Sequence, residues 1–166
     1  MKSESIKAYS YRISQASPVE LVVVMYDMAI EYLNDAIAAL GEEGKQDGAA
    51  EQEQFGRNLK YAKRVIDQLA SDLDMQYDVS EELLTLYRIM DRYIVKASAE
   101  KNIKLIETVV SMLSKLRKSF YEISREDTSG PVMKNTQQVY AGLTYSNAGN
   151  SNEYSQDPVN NRGFMV

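Results

Sequence analysis

The sequence predicts an all-α fold, an antiparallel four-helix bundle with a short N-terminal arm and a low-complexity C-terminal tail, and three observations carry that prediction. Apolar residues recur at helical spacing in four separate segments between Ser17 and Ser124. The stretches between these segments are short, rich in Gly, Asp, Ser or Asn, and show no alternating pattern of the strand kind. From Arg125 onward Asn, Ser, Gly and Gln dominate, leaving too little apolar area to offset ordering entropy. These shifts divide the chain into an arm over 1–16, a helical bundle over 17–126 and a flexible tail over 127–166. Helices with one apolar face and short connections pack as antiparallel neighbours.

The arm mixes Lys2, Glu4, Lys7 and Arg12 with Ile6, Tyr9, Tyr11 and Ile13. The spacing 6, 9, 13 puts Ile6, Tyr9 and Ile13 on one face of a helical turn. A frayed terminus and an arm lying in a groove both fit this pattern. The first long helix, Ser17 to Leu40, has the strongest start signal in the chain. Ser17 suits the cap, Pro18 the first helical position, and Glu20 the return bond of a capping box. Two neighbouring apolar stripes run along it, one through Leu21, Met25, Met28, Tyr32 and Ala36, the other through Val22, Tyr26, Ala29, Leu33 and Ile37. A helix apolar over so much of its circumference must touch several neighbours or keep a face for a partner.

Gly41 to Ala50 reads as a loop. A second helix is expected from about Glu51 to Asp74, where Phe55, Leu59, Ala62, Ile66, Leu69 and Leu73 form a narrow seam. Asp74 to Val79 makes the next turn, and Ser80 with Glu81 and Glu82 predicts a third start. The third helix, to about Ser98, buries Leu83, Leu86, Tyr87, Met90, Ile94 and Ala97. After a break at 99–102, Ile103, Ile106, Val110, Leu113, Leu116, Phe120 and Ile123 make the stripe of a fourth helix ending near Ser124. Leu105, Val109 and Met112 lie beside that stripe and exceed what one seam needs. In the tail, the clusters 139–145 (VYAGLTY) and 163–166 (GFMV) stand out as stickers for the bundle or for another protein.

At 166 residues one domain suffices, and the net charge of −5 offers no field for phosphate backbones or anionic lipid. The absence of cysteine removes disulfides and thiolate chemistry. The opening stretch MKSESIKAYSYRIS has no apolar core of the signal-peptide kind, and the longest apolar run, Leu21 to Tyr26, is too short to span a bilayer. A cytoplasmic, soluble protein without membrane insertion is therefore expected. No histidine is present, so the di-iron site that helical bundles often hold cannot be assembled. The carboxylate pairs Asp27 with Glu31 and Glu31 with Asp35 read as a polar stripe of an amphipathic helix. The basic run Lys115, Arg117 and Lys118 fits the C-terminal end of a helix better than a nucleic-acid patch. No phosphate-cradling glycine loop or nucleophile elbow occurs, so no enzyme, cofactor or metal is expected.

Binding is what remains. Twelve tyrosines and eight methionines without a tryptophan suit surfaces that grip varied helices, although most of them fill the core. The first and fourth helices own more apolar face than a closed bundle requires. An amphipathic partner helix laid into such a groove is held at its i, i+3, i+4 and i+7 anchors.

Three stretches, in order, resemble the bacterial flagellin export chaperone family FliS, over roughly Tyr9 to Ile123. They are ASPVELVVVMYDMAI at Ala16 to Ile30, SEELLTLYRIMDRYIVKASAEKN at Ser80 to Asn102, and VVSMLSKLRKSFYEI at Val109 to Ile123. Met28 stands where the family usually has Gly, Ser98 where Asn is frequent, and Phe120 where Trp is common. The resemblance implies a small helical bundle that binds the C-terminal segment of flagellin in the cytoplasm. It implies further that this binding blocks premature polymerisation and delivers flagellin to the flagellar export gate. Ile6, Tyr9 and Ile13 of the arm and Val22, Met25, Tyr26, Ala29 and Leu33 of the first helix are the partner-binding positions it suggests. Leu105 and Met112 join them on the stripe argument alone. A helical adaptor that self-associates through the same face is the alternative, and a weak homodimer is compatible with either. A salt-sensitive RNA regulator is disfavoured by the charge.

Overall fold

The computed structural model describes residues 3–41 and 48–133, which fall in the first of two units, Met1–Lys134; the second, Asn135–Val166, lies outside them. The tail clusters 139–145 and 163–166 are therefore outside the described residues. The described residues form five helices: α1 (Ser3–Gln15), α2 (Pro18–Leu40), α3 (Ala49–Ser71), α4 (Asp78–Glu100) and α5 (Ile103–Ser124). The described residues include no strand. α2 packs against α3 and α5, and α4 packs against the same two helices, so the four long helices close a ring. α1 lies outside the ring, against α2.

α2 begins as its residues dictate. Ser17 Oγ accepts the Glu20 N–H at 3.3 Å, and Glu20 Oε2 accepts the Ser17 N–H at 2.9 Å, a complete capping box with Pro18 at the first position. It ends at Gly41, whose φ of 70° and ψ of 171° suit glycine far better than any residue with a Cβ. α4 starts at Asp78, three residues before the expected position, with Tyr77 as the cap. Ser80, expected to cap, is buried and donates its hydroxyl to the Asp74 carbonyl at 2.7 Å, tying the helix to the turn that precedes it. α4 stops at Lys101, which takes the left-handed conformation at φ 51°, and the Asn102 N–H returns to the Ala97 carbonyl at 3.2 Å.

The arm is more ordered than an extended strand of chain. Ile6, Tyr9 and Ile13 sit on α1, a helix of 13 residues separated from α2 by Ala16 and Ser17, both buried. The first residues of the expected tail are tethered by hydrogen bonds although most of them are exposed. The segment 127–133 runs back across the α1–α2 junction, where Ser17 Oγ donates to Asp127 Oδ2 at 2.7 Å and the Val132 N–H to the Ala16 carbonyl at 3.0 Å.

Inside the ring, Leu33 and Leu40 of α2, Ile66 of α3, Met90 of α4 and Ile106, Val109 and Leu113 of α5 are almost completely removed from water. Each such side chain contributes roughly 1.5–3 kcal/mol of transfer free energy. Tyr26 and Tyr87 cross the ring between α2 and α4 with their hydroxyls 2.5 Å apart, which satisfies both polar tips in an apolar setting. Burial first, and then Tyr87, pushes the Tyr26 phenol far up, so the pair is neutral at any physiological pH. On the outside, Lys63 of α3 bridges to Asp91 of α4 at 2.5 Å.

Candidate functional site

The N-terminal ends of α2 and α4 and the C-terminal ends of α3 and α5 meet at one end of the ring. Between them lies an apolar groove of about 260 Å³. Val22 and Met25 of α2 form one wall, Leu69 of α3 with Leu73 of the turn after it another, and Val79 and Leu83 of α4 a third; Tyr87 and Phe120 reach in from α4 and α5. The Phe120 ring rests 5.5 Å from that of Tyr26, so the groove shares its floor with the core. Beside it, Met75 and Tyr77 on the α3–α4 turn and Val79 at the start of α4 are each more than half exposed.

The opposite flank of α2 carries charge. Asp27 is only 17% exposed, and both of its oxygens are used: Arg117 Nε of α5 donates to Oδ1 and Arg12 of α1 donates to Oδ2, each at 2.6 Å. One helical turn on, Glu31 accepts the Tyr9 hydroxyl, and burial together with that bond and the Glu31 charge raises the phenol well above its ordinary value. Asp27 likewise holds Arg117 more firmly protonated, against the opposing effect of burial. α1 is thus latched to α2 and α5 by directional polar contacts rather than by a broad apolar seam. A second cleft, about 300 Å³, opens between the three helices, with Tyr11 and Arg12 on one side and Val23, Val24, Arg117 and Tyr121 on the other.

The suggested partner-binding residues separate into three groups. Val22 and Met25 are half-buried and line the groove. Ile6 is exposed on α1, where Tyr9 and Ile13 are half-buried; Leu105 and Met112 are half-buried along α5. Tyr26, Ala29 and Leu33 are 0% exposed and belong to the core, because their stripe of α2 is the one that the other ring helices close over. They offer no surface to a partner. Sequence reasoning missed Leu69, Leu73 and Leu83, which read as ordinary seam positions, and the Arg12–Asp27–Arg117 cluster. A signal for the cluster existed: Asp27, Glu31 and Asp35 make an acidic stripe with no basic residue on α2 itself, and such a stripe, where it is partly covered, calls for cations from elsewhere.

No helix among the described residues is long and apolar enough to cross a membrane. A family model described as "Flagellar protein FliS" matches residues 3–127, from the start of α1 to just past the end of α5. No curated protein matches the chain significantly.

Proposed function

The chain belongs to the flagellar export chaperone family FliS, and from that premise we propose that it binds the C-terminal helical segment of flagellin in the cytoplasm, keeps it from polymerising early and delivers it to the type III export gate. The observation that carries this reading is the groove walled by Val22, Met25, Leu69, Leu73 and Val79, apolar and open at its mouth. An amphipathic helix places three or four side chains per two turns on one face, which suits a groove of this kind. A flagellin segment lying there has its own sticky face covered, so occlusion by equilibrium binding is the mechanism. Leu105 and Met112 on α5, and Ile6, Tyr9 and Ile13 on α1, extend the contact for a segment that continues around the bundle. Tyr26, Ala29 and Leu33 act from beneath, by holding α2 in place.

Calorimetric titration with a peptide from the C-terminal helices of the flagellin of the same organism tests the reading. Saturable one-to-one binding with a negative heat-capacity change is expected. Met25→Asp, at the groove wall, weakens binding about tenfold or more while the melting transition stays cooperative. Absence of heat at several temperatures, together with a constitutive dimer by light scattering, would overturn the proposal in favour of a self-associating scaffold.

A further inference from the structure

The groove at the α3–α4 end has a rim of one charge sign. From Val65 to Tyr87 the chain carries Asp67, Asp72, Asp74, Asp78, Glu81 and Glu82, and neither Lys nor Arg. Asp72 and Asp74 line the groove itself, and Asp78 and Glu81 stand in the first turn of α4, flanking Val79. All four are exposed. Such hydrogen bonds as Asp72 and Asp74 accept come from uncharged donors, the Gln68 amide at 2.7 Å and the Gln76 N–H at 3.0 Å.

Helix stability accounts for only part of this charge. Asp78 and Glu81 suit the positive end of the α4 dipole. Asp72 is the C-terminal cap of α3, at the negative end, and the last turn of α3 holds no basic residue. A carboxylate there opposes the dipole of α3; its bond from Gln68 supports the helix end locally but leaves the charge without a counter-ion. A cation brought by a partner answers it.

We infer that the groove takes an amphipathic segment whose apolar residues are flanked by Lys or Arg. The apolar walls supply the affinity, and Asp72, Asp74 and Asp78 set the orientation and speed of encounter. Met75 and Tyr77, exposed on the turn between those acids, cover the partner's hydrocarbon stems where a basic side chain lies across the rim. The inference rests on the groove being the docking site proposed for flagellin and names the chemistry of the part that enters it.

The test uses the full chain and two synthetic peptides of about 16 residues with the same Leu and Val face, one flanked by Lys and the other by Glu, each long enough for four helical turns. Fluorescence anisotropy is read at about 50 mM and about 300 mM salt, on either side of the range where exposed charges become screened. The Lys-flanked peptide is expected to bind about tenfold more tightly at low salt, with most of that margin lost at high salt. Asp72→Asn combined with Asp74→Asn, which keeps the hydrogen-bond acceptors, removes most of the margin without lowering the melting temperature. Equal binding of both peptides, or no binding of either while the flagellin peptide binds, overturns the inference and leaves the chaperone reading intact. Selective binding of the Lys-flanked peptide with no flagellin binding does the reverse.

Discussion

The two flanks of α2 are built from neighbouring residues and held in opposite ways. On one, Asp27 and Glu31 recruit Arg12, Arg117 and Tyr9, and a whole helix is pinned by directional bonds. On the other, Val22 and Met25 face an apolar groove whose charges lie on the rim. The difference teaches how a helix apolar over most of its circumference avoids indiscriminate sticking. Polar latches in partly exposed positions are individually weak and salt-sensitive, so α1 is expected to open before the ring does. Apolar burial is non-directional and gains with every methylene covered, which is the property that the proposed capture of a helix in the groove relies on.

Charged substitutions at adjacent positions break this comparison most sharply. Tyr26→Asp puts an unpaired charge into the core and removes the partner of the Tyr87 hydroxyl. The expected cost is about 4 kcal/mol or more, read as loss of a cooperative thermal transition. Met25→Asp, one residue away, keeps the transition; if both variants unfold, the groove wall is part of the core and the docking site lies elsewhere. A middle effect is expected on the charged flank. Asp27→Asn loosens α1, and because Arg12 is 43% and Arg117 38% exposed, solvent screening limits the loss to about 1 kcal/mol. Hydrogen exchange should accelerate over residues 3–15 while α3 and α4 stay protected. Equal acceleration throughout the ring would show that the latch is part of the global fold.

The smallest effect concerns the strap after α5. The Ser129 hydroxyl, then that of Ser17 and the Ser129 N–H, hold Asp127 at about 2, below the ordinary 3.8. A folded value lower than the unfolded one means that this carboxylate favours the docked strap above about pH 4, and that the contribution disappears as pH falls through about 2. Amide chemical shifts of Ser129 and Val132 followed through that window should report undocking. In Asp127→Asn they should be flat with pH.

The number of long helices, the Ser17 cap and most of the apolar seams were legible because each depends on residues a few positions apart; on α5 the reading slipped, since Val109, read as surplus, is fully buried and Ile123, read as core, is more than half exposed. The start of α4 was misread: Ser80 is a good capping residue, but Asp74 sits where its carbonyl can take that hydroxyl, and the turn begins the helix earlier. α1 was legible as one apolar face over Ile6, Tyr9 and Ile13; its contacts with Asp27 and Glu31, which lie in a different helix, were not. The candidate site was half legible. Val22 and Met25 came from α2 alone, whereas Leu69, Val79, Leu83 and Phe120 come from three other helices and Leu73 from the turn between two of them, and these share no local pattern with α2.

From the sequence alone follow the all-α class, the four long helices and the overwide apolar surface of α2, because periodicity and capping are short-range properties of the chain. Tertiary structure decided which part of that surface became core and which became groove wall. Tyr26 and Met25 are adjacent and similarly apolar, yet one is 0% exposed and the other lines an opening. Successive helical residues point about 100° apart. Which direction is covered depends on where α3, α4 and α5 come to rest, and that is settled by all the seams packing at once.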